Sequence, residues 1–295
     1  MRRRLSAALA VTLLATATLV VGPAAPAASA PEGLTTVRPY TGGAYVAMGD
    51  SRASGTHRTP TLGYYLGCLR SADSYPEILR ARLAPRMFTD TSCAGATSAN
   101  LWSTPQPTRV YTRQPQIQRV PAGAQLLTIS IGGNDMQWGP ILAKCLIDRA
   151  GQDRRCRSDA ALNARVTSRI AVMERETSAA LAAIRARQPQ AQIVMVGLGG
   201  FIGQRGCYPT VPLPDGDAAW MRGVFARANT VLRTVAESVD GSFIDVQNLS
   251  EGKDACNRSG AWYEGETNEK GTLKWHFNHK GSTEIARLIE RVIIR

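Results

Sequence analysis

An α/β domain, with a parallel sheet covered by helices on both faces, is the fold that this sequence predicts. Four apolar runs carry the first argument: AYVAMG from Ala44, QLLTISIGG from Gln125, QIVMVGLGG from Gln192 and GSFIDV from Gly241. They are continuous rather than alternating, as strands buried on both faces are. Between them lie stretches whose apolar residues recur at helical spacing. Neither an internal repeat nor an interior linker divides the chain, and alternating strands and helices of this kind build one parallel sheet.

Each element has its own signal. Tyr45 to Met48 read as a buried strand, and Gly49 permits a sharp turn after it. In SADSYPEILRARLA, Asp73 or Ser74 caps a helix whose first turn holds Pro76. From Ser158 to Arg187, Leu162, Val166, Ile170, Met173, Leu181 and Ile184 keep a helical period that Pro189 closes. Asp217 to Val235 is helical through Met221, Val224, Ala228 and Val231. Ser282 opens a last helix with Ile285, Leu288, Ile289 and Val292 on one face.

The first thirty residues are expected to stand apart. MRRRLSAALAVTLLATATLVVGPAAPAASA has an arginine cluster, an apolar core and then small residues, the build of a secretory signal peptide. A membrane anchor would need a longer core and a basic flank after it. Ala28-Ser29-Ala30 and Ala25-Pro26-Ala27 both offer a cleavage pattern. Residues 1–30 are therefore read as a cleaved leader and 31–295 as one domain, secreted and extracellular. Losing Arg2, Arg3 and Arg4 takes the formal charge from +12 to +9. Such a chain suits peripheral contact with anionic lipid or cell-wall surfaces. Nucleic acid is not expected, because the arginines are scattered without basic–aromatic alternation. Six cysteines after an export signal imply three disulfides, and the absence of a C-x-x-C pair argues against zinc. Count alone leaves fifteen pairings open.

The chemistry centres on Gly49-Asp50-Ser51. A serine at the C-terminal edge of a parallel sheet stands where open α/β folds bind ligands. The same tripeptide suits a turn serine that caps a helix. A serine nucleophile needs a base, and only His57, His276 and His279 are available. His57 shares the serine's loop; the other two precede the last helix, near the same edge. Acyl transfer also needs donors aimed at an oxyanion. Gly95, in SCAGATSANL, can turn a bare N–H to a ligand, and Asn134, in SIGGNDMQW, offers an amide. A turn glycine and a loop-capping amide explain each equally well taken singly.

Gly49-Asp50-Ser51, Gly95, Gly133-Asn134-Asp135 and His276-Phe277-Asn278 follow the order of the four blocks of the SGNH (GDSL-type) hydrolases, which this sequence resembles from about Ala44 to Ile293. It is most similar to the secreted bacterial lipase/esterase branch, through CLRSADSYP, the Cys93-Ala94-Gly95-Ala96 run, ISIGGND and DACNRSGAWYEG. The resemblance implies a flavodoxin-like three-layer α/β/α sandwich. It implies an ester hydrolase, a monomer needing neither cofactor nor metal, that works through an acyl-enzyme on Ser51. His276 would be the base, since HFNHKG matches the last block only when begun there, and His279 would lie at the surface. The N–H groups of Ser51 and Gly95 and the Asn134 amide would form the oxyanion hole. The branch also implies the pairs Cys68–Cys93, Cys145–Cys156 and Cys207–Cys256.

Two positions depart from the family. Leu273 stands where many members carry an aspartate that orients the histidine, a group whose loss can cost about four orders of magnitude. The carbonyl of Leu273 or a near neighbour is expected to accept from the imidazole instead, with Glu264, Glu266 or Glu269 as the alternative. Arg52 replaces an apolar or aromatic residue, either as a solvent-facing charge or as a selector of anionic head groups. Acyl-lipid esters are the expected substrates. A carbohydrate O-deacetylase on the same fold and a non-catalytic polyanion- or wall-binding protein are the competing readings.

Overall fold

In the computed structural model, residues 37–55, 59–62, 64–268 and 271–293 are described. The expected leader, His57 and Glu269 lie outside the described residues. Ala44–Gly49 forms strand β1, whose residues Tyr45 to Met48 are fully buried. Helix α1 (Tyr75–Leu83) follows, entered through Ser74 and Pro76, and leads to strand β2 (Met87–Asp90). Leu126–Ser130 is β3, Ala160–Arg187 is α2 and Gln192–Val196 is β4. Asp215–Glu237 (α3), Ser242–Ile244 (β5) and His279–Val292 (α4) complete the main frame. The sequence reading holds for the long elements. Each fully buried Leu or Ile side chain on the central strands contributes about 1.5–3 kcal/mol.

All pairs in the five-stranded sheet are parallel, in the order β2-β1-β3-β4-β5. Tyr45 pairs with Leu126, Leu126 with Gln192 and Val194 with Ser242. The chain steps one way from β1 to β2, then returns past β1 and steps the other way. Right-handed crossovers therefore put α1 on one face and α2 and α3 on the other. α4 packs with α1, and α2 with α3, so both faces are covered. The reversal occurs between β1 and β3, the point in such sheets where a crevice opens beyond the strand ends.

Two expectations need correction. The sheet has a fifth strand, β2, that no apolar run announces: it lies at the edge, with Met87 52% exposed. The last helix begins at His279 rather than Ser282, because Asn278 caps it by accepting from the Gly281 N–H at 2.9 Å. A small antiparallel hairpin, Gln106–Pro107 with Thr112–Arg113, was also invisible to periodicity.

Candidate active site

Gly49 ends β1 with φ +131°, and a Cβ there would sit 2.1 Å from the carbonyl oxygen of Ser130 on β3. Only glycine lets the two strand ends come this close. The buried amide of Gln116 pairs with both backbone groups of Gly49, donating to its carbonyl at 2.9 Å and accepting its N–H at 2.8 Å. Asp50 then caps the helical turn Ser51–Ser54, its carboxylate accepting from the Arg52 N–H at 2.9 Å. Ser51 heads that turn, so its own N–H has no acceptor within the helix.

The Ser51 hydroxyl lies 2.7 Å from His276 Nε2, and His276 Nδ1 lies 2.7 Å from the carbonyl oxygen of Lys274. A carbonyl can only accept, so Nδ1 carries the proton and Nε2 is left to accept from Ser51. The orienting carbonyl thus belongs to Lys274 and not to Leu273. The cause is Trp275, whose φ of +64° turns the backbone so that the residue two positions before the histidine faces the ring. Leu273 contributes its side chain to the cleft wall instead. Glu266, considered as a remote acid, accepts from Lys274 Nζ at 2.6 Å and from Trp275 Nε1 at 3.1 Å. It braces the segment bearing the carbonyl. Glu264 donates its N–H to the carbonyl oxygen of His276 at 2.9 Å. His279 is exposed on α4.

Across the cleft, the two carbonyls that flank Gly95 are both tied. Gln106 Nε2 donates to the Ala94 carbonyl at 2.8 Å, and Asn134 Nδ2 donates to that of Ala96 at 2.8 Å. In a trans peptide C=O and N–H point opposite ways, so drawing the Ala94 carbonyl toward Gln106 turns the Gly95 N–H into the cleft. Gly95 has φ +81°, while a Cβ there would meet only Gln106 Nε2 at 3.8 Å. The glycine serves conformation rather than space. The second Asn134 amide hydrogen remains for a ligand. Asp135 joins the two loops: its buried carboxylate accepts from the Ser98 N–H at 3.0 Å and the Ser98 hydroxyl at 3.0 Å. Cys68–Cys93, 25 residues apart, links the segment after Ser51 to the Gly95 loop. Cys145–Cys156 and Cys207–Cys256 are also formed, as the resemblance implied.

Burial dominates the electrostatics. It pushes the Asp50 carboxyl up to about 7, against the opposing pull of the Arg52 N–H and guanidinium. Burial raises Asp135 as well, opposed by the Ser98 donors. Arg52 is not solvent-facing: it is 7% exposed, donates to the Gly197 carbonyl at 3.1 Å and lies 4.3 Å over the Phe277 ring. That desolvated cation ties the Ser51 turn to the end of β4 and to the residue after His276. It does not line the cleft. Sequence reasoning gave no role to Gln106, Gln116 or Asp135. Only Asp135, inside the GGND run, had a local signal.

Ser51, Gly95, Asn134 and His276 converge on one cleft of about 520 Å³, with Leu69, Trp138, Pro140 and Leu273 as apolar walls. The model of the GDSL-like lipase/acylhydrolase family matches residues 47–283. The chain belongs to that family, and is a carboxylic ester hydrolase of it. "Lipase 2" of Streptomyces coelicolor is 30% identical over 228 residues, 75% of each chain. A lipase of Streptomyces rimosus is 29% identical over 261 residues, 87% of each. Among solved structures, phospholipase A1 from Streptomyces albidoflavus superposes with a TM-score of 0.70 at 21% identity, covering 85% of this chain and 99% of that one. The extracellular lipase of S. rimosus superposes with a TM-score of 0.68 at 24% identity, covering 84% of this chain and 98% of that one. These two likenesses concern the fold.

Proposed function

We propose that this family member is a secreted serine hydrolase of acyl-lipid esters, acting through an acyl-enzyme on Ser51. The observation that carries the reading is the line from Ser51 Oγ through His276 Nε2 and Nδ1 to the Lys274 carbonyl, with 2.7 Å at each hydrogen bond. Attack by Ser51 Oγ on the ester carbonyl passes the hydroxyl proton to Nε2. The resulting imidazolium keeps Nδ1–H on the Lys274 carbonyl, whose dipole stabilises the new charge. The oxyanion accepts from the N–H groups of Ser51 and Gly95 and from Asn134 Nδ2. Collapse breaks the bond to the alcohol oxygen, and Nε2–H protonates the departing alcohol. Water then adds to the acyl carbon while Nε2 takes its proton; collapse breaks the bond to Ser51 Oγ, which recovers that proton from Nε2 as the acid leaves. This is the triad logic with a backbone carbonyl in place of the acid. Export is supported by the leader-like first thirty residues and three disulfides, and a lipid substrate by the apolar walls and the names of the relatives.

The test compares wild type with Ser51→Ala on p-nitrophenyl esters from acetyl to palmitoyl. Wild type is expected to hydrolyse them, and the variant to lose roughly a million-fold in kcat. Hydrolysis surviving in Ser51→Ala would reject the nucleophile, and activity confined to acetyl esters would reject the acyl-lipid substrate.

A further inference from the structure

A second cleft, of about 320 Å³, opens behind the Gly95 loop, and Arg70, Arg113 and Arg119 line it together. Its size lies at the low end of small-molecule sites, roughly 300–1,000 Å³. Among the described residues, no carboxylate lines it. Arg70 is held in place, its Nε donating to the Ser92 carbonyl at 2.7 Å with Asp90 3.7 Å away. Arg113 is stacked 4.3 Å over the Tyr111 ring, and its Nε is buried with no partner. Neither Arg113 nor Arg119 forms an ion pair among the described residues. Burial lowers the Arg70 pKa, and the charges of Arg119 and Arg113 lower it further against Asp90. Three guanidinium groups thus feel one another across a recess with a single acid to offset them.

The repulsion among these three cations is one that a bound oxyanion would relieve further than Asp90 does. Planar guanidinium forks match phosphate oxygens two at a time. The position narrows the ligand. Leu69 lines the catalytic cleft and Arg70 the second one; Gly95 faces the first and Cys93 the second. Gln106 forms part of the second cleft while its amide holds Ala94 in the first. Beside it, the tip of the hairpin exposes Val110 (55%) and Tyr111 (41%), with Arg109 also exposed. Apolar side chains flanked by arginines suit a lipid–water interface.

We propose that the Arg70–Arg113–Arg119 cleft binds the phosphodiester head group of a glycerophospholipid and thereby sets its ester at Ser51. The second clause rests on the hydrolase reading above; the first does not. The binding test therefore uses Ser51→Ala as background, with and without Arg113→Gln and Arg119→Gln. Co-sedimentation is measured with vesicles of phosphatidylcholine and phosphatidylglycerol, and with triacylglycerol emulsions. The arginine changes are expected to weaken vesicle binding about thirtyfold and to leave emulsion binding unchanged. Glycerol 3-phosphate should compete with vesicles for the parent but not for the variant.

Equal vesicle affinity in both proteins would overturn the proposal. So would inorganic phosphate that binds the parent alone while vesicles bind both, since the site would then serve free phosphate. Parallel loss on vesicles and emulsions would reduce the arginines to general adhesion and overturn it too. In the active enzyme, p-nitrophenyl butyrate hydrolysis should stay within about twofold, which also reports folding, while KM for phospholipid rises. The exposed Arg119→Gln alone should show part of the effect. A wrong nucleophile would appear instead as hydrolysis surviving in Ser51→Ala, with these binding results intact.

Discussion

On one side of the catalytic cleft, Ser51 and Asn134 hang from the ends of buried strands and Gly95 from the end of the edge strand β2, and buried side chains fix the peptides around them. Gln116 holds Gly49, Gln106 holds Ala94, and Asp135 holds Ser98. On the other side, His276 hangs from the segment before α4, steadied by contacts of the half-buried Glu266 with the exposed Lys274 and the buried Trp275. The difference follows the chemistry. Donors to an oxyanion act best when already oriented in a dry setting, so nothing reorganises as charge develops. In the proposed mechanism the histidine passes a proton between oxygens on two different molecules, and a firmly hydrogen-bonded Nδ1 suffices for that.

Substitutions on the two sides should differ accordingly. In the proposed mechanism Asn134→Ala removes an oxyanion donor and should lower kcat about 100- to 1,000-fold with KM nearly unchanged; steady-state kinetics showing a KM effect alone would make Asn134 a binding residue. Asp50 tests the buried side through stability. Its folded pKa of about 7 exceeds the unfolded value of 3.8, so between them the folded state keeps a proton that the unfolded state releases. Stability should therefore fall as pH rises through about 7, by roughly 2–3 kcal/mol between pH 5 and 8. Asp50→Asn should flatten that profile in denaturant titrations, and an unchanged slope would assign it to another group.

Gln106→Leu removes the pull on the Ala94 carbonyl, and about tenfold should be lost from kcat with the KM for small esters unchanged. Wild-type kcat in that variant would mean the loop fixes the Gly95 peptide unaided. Glu266→Gln keeps an acceptor for Trp275 but loses the charge on Lys274; an exposed pair is worth about 0–1 kcal/mol, so kcat should drop about threefold or less. A loss as large as that of Asn134→Ala would erase the contrast between the two sides.

The same contrast explains what was legible in the sequence. β1, β3 and β4 are covered on both faces and must be apolar throughout, so their runs announce them. β2 is half-exposed at an edge and needs only Met87, Phe88, Thr89 and Asp90 to pair along β1. Ser51 and Asn134 follow the ends of strands that announce themselves, where position in the chain predicts position in space, whereas Gly95 follows the unannounced β2 and is marked only by its run of small residues. The carbonyl facing His276 depends on one left-handed residue, Trp275, and no residue type there signals a positive φ. Arg52 misled for a related reason. A charge beside a polar turn reads as solvated until the Phe277 ring that covers it arrives from 225 positions further along the chain. Gln106 and Gln116 act through long-range contacts to backbone atoms, which composition cannot register.

The Cys68–Cys93 bond carries a consequence for where this protein can be made. Closing a loop of 25 residues is worth about 3.5 kcal/mol in the chain-entropy model. Part of that restraint falls on the loop that presents Gly95. With the thiols reduced, the Ser51 turn and the Gly95 loop would be joined by backbone hydrogen bonds, Cys93 N–H to the Gly49 carbonyl at 2.9 Å and Ala94 N–H to the Cys68 carbonyl at 3.1 Å, without the covalent restraint. Ester hydrolysis would then mature with oxidation of this pair, which ties the onset of activity to the redox state of the surroundings.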